Sequence, residues 1–206
     1  MVYYYTLKSA PNQVVYMGRD KFENEDLIKY GFDEDVWFHV DDHSSAHVYL
    51  RLLPGQTWED IPPATLEELA QLTKNNSIEG CKLNNVNIIY TPWSNLNKRK
   101  DMDVGTIGYH DTKKVKTIKV ETKKPEIINP LEKTKREVTD VNFKALRAEQ
   151  DALKRKAQQA AEQAAKEEEI RKIAEKKKQD EIKSYASLKV KEADKQRPPP
   201  SEDDFM

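Results

Sequence analysis

An α+β domain followed by a long charged helix is the architecture that this 206-residue sequence predicts, on three observations. Short runs rich in β-branched and aromatic residues recur through the N-terminal half, separated by turn-forming clusters. Two amphipathic stretches of helical period interrupt them. From Leu131 to about Tyr185 the chain then turns to Ala, Glu, Lys, Gln and Arg with no Gly and no Pro, which favours one uninterrupted helix. All six Gly, all three Trp and every His lie at or before His110. A core therefore fits within residues 1–124, a normal size for one small domain with a mostly antiparallel sheet and two helices. The expected order is that domain, a linker at 125–130, the helix at 131–185 and a disordered acidic tail at 186–206.

Met1–Leu7 and Val14–Met17 are apolar, aromatic runs on either side of Ser9-Ala10-Pro11-Asn12, hence two strands and a turn. Glu23–Tyr30 predicts a short helix with Leu27 and Ile28 facing inward and Gly31 as its C-cap. Val36–Val40 and Val48–Leu53 flank the polar turn Asp41–Ser45 and predict a hairpin. Alternation puts Val36, Phe38 and Val40 on one face, with Trp37 and His39 on the other. In the second strand Val48, Leu50 and Leu52 oppose His47, Tyr49 and Arg51. One face belongs in a core; the other gathers two imidazoles and a guanidinium. Thr65–Ser77, opened by Pro62-Pro63, carries Leu66, Leu69, Ala70 and Thr73 at helical spacing. Val86–Tyr90 reads as a buried strand. Val104–Tyr109 and Val115–Val120 read as two more, joined through Asp111-Thr112-Lys113. The last shows no cleanly apolar face, as befits an edge strand blunted by lysine.

In the long helix Leu146, Leu153 and Ala160 keep seven-residue spacing, and Ile170 and Ile173 extend a thin seam. Strong a/d knobs are lacking, so a solitary helix held by i,i+4 pairs and a weak or partner-dependent coiled coil both remain open. Its charges nearly cancel. The tail carries Pro198-Pro199-Pro200 and Glu202-Asp203-Asp204, a composition that favours disorder.

The formal net charge of −1 hides an asymmetry. Residues 1–94 hold 7 Lys/Arg against 14 Asp/Glu, and residues 95–124 hold 9 against 4. A basic ribbon thus closes an acidic domain. The single Cys81 excludes an intramolecular disulfide framework. Met1–Tyr5 lacks the basic start and long apolar stretch of a secretory signal, and no window approaches a membrane span. An intracellular protein, cytoplasmic or nuclear, is expected, with membrane association left open.

No Gly-x-Ser-x-Gly elbow, P-loop or dinucleotide fingerprint is present, so no catalysis and no cofactor are expected. Gly105-Thr106-Ile107-Gly108 comes nearest to a phosphate cradle, but it precedes a strand and lacks a helix dipole. His39, His43 and His47 stand four apart. On a hairpin only His39 and His47 can meet, across the strands, which is too few for a metal centre. The basic ribbon is the better lead. Lys98-Arg99-Lys100 lies in a loop after Trp93, and Lys113, Lys114, Lys116 and Lys119 follow. Dense positive charge beside aromatics suits phosphates and bases. Arg19 and Lys21 extend the patch if the fold brings them near.

Several of these stretches, in order, resemble the NFACT-R domain family. Val36-Trp37-Phe38-His39-Val40 with Ser45-Ala46-His47-Val48 is similar to its W-F-H…S-H-V signature. Gly18-Arg19 with Asn24-Glu25-Asp26-Leu27 is similar to its G-[RK]…N-x-x-L segment. Val86–Thr91, Val104-Gly105…Gly108-Tyr109 and Thr117–Val120 resemble its closing strands. Ser44-Ser45 departs from the Pro-Gly of many relatives. The resemblance covers about residues 1–122 and implies an RNA-binding module, in a family that includes ribosome-associated factors. Their tRNA recruitment and tail elongation are not carried over, because the segments for them are not found. Gly18, Arg19, Asn24, His39, His47 and Gly105 are the matching positions. The predicted nucleic-acid contacts are Arg19, Lys21, His39, His47, Arg51, Lys98, Arg99, Lys100, Lys113, Lys114, Lys116 and Lys119. RNA is favoured and DNA is possible, since both share phosphates. The alternative is an adaptor that recognises a protein partner, or itself, through residues 131–185.

Overall fold

The computed structural model describes residues 1–99 and 101–195, leaving aside the side chains of 181 and 184–195. Its strands are β1 (Val2–Tyr5), β2 (Val14–Gly18), β3 (Asp35–Val40), β4 (Val48–Arg51), β5 (Val86–Pro92), β6 (Leu96–Asn97), β7 (Gly108–Tyr109), β8 (Lys116–Val120) and β9 (Arg136–Val138). Its helices are α1 (Lys21–Tyr30), α2 (Pro63–Asn75), α3 (Pro125–Thr134) and α4 (Phe143–Lys195). Among the described residues, seven strands form one sheet in the order β8-β5-β3-β4-β2-β1-β9, and β6 and β7 make a separate ribbon. Every pairing is antiparallel. The α+β class follows from these elements, and the expected hairpin is present with Phe38 opposite Val48 and Val36 opposite Leu50.

Alternation sends Val36, Phe38, Val40, Val48 and Leu50 to one face, where Leu69, Ala70 and Leu72 of α2 and Leu131 of α3 cover them. Full burial of such side chains contributes roughly 1.5–3 kcal/mol each. The opposite face, which gathers the two imidazoles and the guanidinium, is covered as well. Trp37, Tyr49 and Tyr16 pack beneath Leu27 of α1, Leu96 of the ribbon and Phe143 at the start of α4. Alternation identifies two faces, but it carries no information on what lies over either.

Three expectations are corrected. The residues expected as a linker, 125–130, open α3, with Pro125 in its first turn and Ile128 and Leu131 buried. The chain then adds β9 to the sheet beside β1, Val2 opposite Val138, before the long helix begins at Phe143 and not at 131. Asn142 caps that helix, its side-chain oxygen accepting from the Ala145 amide. One compact unit accordingly runs from Met1 to Glu149. Second, Val104–Tyr109 is not a strand paired to Val115–Val120. Only Gly108 and Tyr109 pair, and they pair with β6. Gly105 sits at φ +89°, a left-handed turn conformation that ends any strand there. Third, α4 runs to Lys195, so residues 186–195 of the expected tail are helical. The remainder of that tail, 196–206, lies outside the described residues.

Gly31 follows α1 as expected, but its φ of −61° is not the left-handed cap. A Cβ there would come within 2.2 Å of the Trp93 ring. The residue is glycine because an indole packs against it. In α4 the seam residues Leu153, Ile170 and Ile173 are exposed, and Glu168 and Lys172 form an i,i+4 pair at 2.7 Å. At 53 residues this helix is about 80 Å long at 1.5 Å per residue. No helix among the described residues is long and apolar enough to cross a membrane.

Candidate nucleic-acid interface

Eleven of the twelve predicted contacts lie among the described residues, and they divide into side chains that the fold uses and cations that it leaves at the surface. Arg51 belongs to the first group. Its Nε and Nη2 donate to the two carboxylate oxygens of Asp35 at 2.9 and 3.1 Å. Asp35 is fully buried, and it also accepts from the Tyr16 hydroxyl and the Phe32 amide. The guanidinium lies 3.8 Å from the centre of the Phe32 ring. The bidentate pair and the stacking on Phe32 fix the guanidinium against the sheet, with Nε and one Nη2 hydrogen committed to Asp35.

His39 and His47 do meet across β3 and β4, with ring centroids 5.0 Å apart and planes nearly perpendicular. His39 stacks on Trp37 at 5.2 Å and meets the carbonyl of Val40 through Nδ1 at 2.6 Å. His47 is 2% exposed. Burial, with the neighbouring His39 and Lys98 adding to it, pushes the His47 imidazole down to about 3. It is neutral at physiological pH and has no surface to offer. Burial also lowers His39, with the Val40 carbonyl opposing the shift. The two imidazoles build the aromatic layer of the sheet and do not form an electropositive patch. Among the described residues no group of three or more His, Cys, Asp or Glu is placed to hold a metal ion.

Lys98 is consumed too. Its ammonium donates to Glu25 at 2.8 Å and to the carbonyls of Asp103 and Thr106 at 2.6 and 2.9 Å. Glu25 in turn accepts from the Gly105 amide at 2.8 Å. The lysine thus closes the loop that carries Gly105, and the amide of the nearest phosphate-cradle candidate is already taken. Lys100 lies outside the described residues.

The remaining cations are nearer to solvent. Arg19 pairs with Asp20 at 3.0 Å, and Asp20 caps α1 through the Phe22 and Glu23 amides. Lys21 stands over the Phe22 ring at 5.3 Å. Phe22 itself is 67% exposed. It is an aromatic platform beside two cations that the sequence reading passed over. Its signal was an aromatic in the first turn of the helix, two residues after the N-cap Asp20, where no helical face calls for one. Arg99 faces Asp101 at 3.4 Å across open surface.

Lys113 and Lys114 lie in a short 3₁₀ turn capped by Asp111, and Lys116 and Lys119 lie on β8. Lys116 reaches over the Trp58 ring at 4.4 Å and pairs with Glu59 at 3.5 Å. Lys113, Lys114 and Lys119 are exposed. Their ammonium groups make no ion pair among the described residues. β8 is the outermost strand of the sheet, so the expectation of a lysine-blunted edge matches its place. The structure joins the lysines of 113–119 into one edge and sets Arg19, Lys21 and Phe22 together at the start of α1.

With this geometry in view, the relationship to known proteins is direct. Residues 1–111 match the family described as the NFACT protein RNA binding domain, and the chain belongs to that family. It is similar to coiled-coil domain-containing protein 25 of Danio rerio, 61% identical over 66% of this chain and 67% of that protein. The Mus musculus protein of the same name is 57% identical over 76% of this chain and 74% of its own length. Protein JLP2 of Saccharomyces cerevisiae is 41% identical over 67% and 69%. Among solved structures, the C-terminal part of the fibronectin/fibrinogen-binding protein of Streptococcus suis superposes with a TM-score of 0.51. That match is 20% identical and covers 62% of this chain and 48% of the other, so it speaks to the fold alone.

Proposed function

We propose that this protein is a non-catalytic nucleic-acid-binding protein that engages structured RNA through the lysine edge at 113–119, with DNA as the weaker alternative. One observation carries the reading. In a family described by RNA binding, Lys113, Lys114 and Lys119 are exposed cations whose ammonium groups make no ion pair among the described residues. Dense charge of this kind neutralises phosphates and displaces counterions, which makes affinity fall with salt. Arg19, Lys21 and Phe22 supply a second contact, in which the ring stacks on a base. His39, His47, Arg51 and Lys98 support the sheet and its loops and make no contact with the nucleic acid. A role on RNA within a ribonucleoprotein particle is the natural extension of the family resemblance. The exposed Leu153, Ile170 and Ile173 of α4 favour a second activity for that helix, the pairing with a protein partner or another copy.

The test is fluorescence anisotropy of the full chain against an RNA hairpin, single-stranded RNA and duplex DNA across a salt series. Binding is expected to weaken steeply with salt and to rank the hairpin first. The variant K113E/K114E/K119E is expected to lose at least tenfold in affinity. Each contact removed should cut the slope of log K against log salt by roughly 0.7–0.9. An unchanged affinity in that variant overturns the assignment to this edge, and flat curves for all probes overturn the reading as a whole.

A further inference from the structure

We propose that the outer edge of β8, with the groove between β8 and α2, receives an extended acidic peptide from a protein partner as an additional strand of the sheet. The sheet ends at β8, whose outward N–H and C=O groups face no strand among the described residues. Such an edge is a template for strand addition, in which main-chain hydrogen bonds hold the ligand and pockets read alternate side chains. A pocket of that kind is present. A groove of about 390 Å³ runs between the helix and the strand, with Leu66 and Ala70 of α2 on one side and Ile118 and Val120 of β8 on the other.

The groove is held open by a buried amide. Gln71 of α2, 1% exposed, donates from Nε2 to the Thr122 carbonyl at 2.9 Å and accepts from the Lys124 amide at 3.0 Å. These bonds fix the chain just beyond β8 at a set distance from the helix. Lys124 is itself extended (φ −107°, ψ 96°) and pairs with Glu67 on the helix side. The edge is thereby pre-organised, which lowers the entropy lost when a ligand strand docks.

Charge selects the occupant. Lys116 is already paired with Glu59 and Lys124 with Glu67, which leaves Lys119 and Lys123, both exposed, as the cations of this edge with no ion pair among the described residues. Ile118 and Val120 point toward α2, while Thr117 and Lys119 point to the other face by alternation. A ligand strand alternating apolar and acidic residues would seat the first in the groove and set the second across from Lys119. A second copy of β8 would instead bring lysines against lysines, which is destabilising. The other end of the sheet offers no such site. There β9 is a three-residue strand, exposed throughout, with Glu137 at its centre.

The experiment uses the full chain and a fluorescein-labelled octapeptide of alternating Val and Glu with blocked termini, read by anisotropy and by ¹⁵N amide shifts. Saturable binding is expected, with shifts confined to β8, the 121–124 segment and α2, including the Gln71 side-chain amide. Two further peptides, N-methylated at the odd or at the even residues, keep every side chain but lose half of the strand's donors each. One of them is expected to bind at least about tenfold more weakly than the parent. Replacing Glu by Lys in the peptide, or Lys119→Glu in the protein, is expected to have an effect of similar size. If both methylated peptides bind like the parent, the attraction is charge alone and strand addition is overturned. No saturation, or shifts mapping elsewhere, overturns the site. Neither result touches the RNA reading, which does not depend on backbone donors of β8.

Discussion

The covered face and the open edge of one sheet treat the same residue type in opposite ways. On the covered face Arg51 is locked to a buried Asp35, Lys98 closes a loop against Glu25, and His47 is neutral. Along β8 and the turn before it, Lys113, Lys114 and Lys119 remain solvated. The difference is one of neighbours. A cation beside aromatics on a central strand is desolvated and survives only with a partner, whereas one on an edge strand keeps its water and its charge. Aromatic-rich surroundings, which drew attention to His47 and Arg51, were a sign of burial.

The sharpest way to break this contrast is Arg51→Met. It strands the fully buried Asp35 carboxylate and is expected to remove about 3–5 kcal/mol of stability, read by urea denaturation at neutral pH. RNA affinity of the fraction that stays folded should not change. A loss below about 1 kcal/mol would place Arg51 with the surface cations instead.

Acid is the next probe. His47 is held at about 3 in the fold against an ordinary value of 6.5. The unfolded chain therefore binds this proton first as pH falls. The stability tied to a neutral His47 is complete above 6.5 and is lost between 6.5 and about 3, at a slope approaching ~1.4 kcal/mol per pH unit. Stability curves at neutral pH and at mildly acidic pH should converge for His47→Phe relative to the parent chain. If the variant keeps the full acid sensitivity, the carboxylates alone cause it.

Lys98→Met removes three hydrogen bonds around the Gly105 loop and is expected to destabilise by roughly 1–3 kcal/mol. Amide exchange should quicken at Asp103–Thr106 while the sheet stays protected. The smallest effect on stability belongs to K113E/K114E/K119E, within about 0.5 kcal/mol of the parent, although its effect on RNA affinity is the largest of the set. A variant that both unfolds and loses binding would erase the distinction between the two regions.

Much of the architecture was legible because it is written locally. The hairpin of β3 and β4, the helix α2, the edge position of β8 and the family signature around Trp37-Phe38-His39 all follow from residues close together in the chain. The linker expectation failed because Ile128 and Leu131 are too few to announce a helix until α2 is seen beneath them. The strand expected at Val104–Tyr109 failed because Gly105 and the Lys98–Glu25 contact are joined across about eighty residues of sequence. Phe22 was missed because exposure of an aromatic is a property of the surface and not of the helical period.

By itself, then, the sequence determined alternation, helical period, turn chemistry and charge balance, since each is set by the geometry of a few consecutive residues. Only the tertiary structure decided that both faces of the sheet are covered and which cations keep their water. Those are outcomes of pairing between distant segments, and the free energy of a charge depends on the dielectric and the partners that such pairing brings to it.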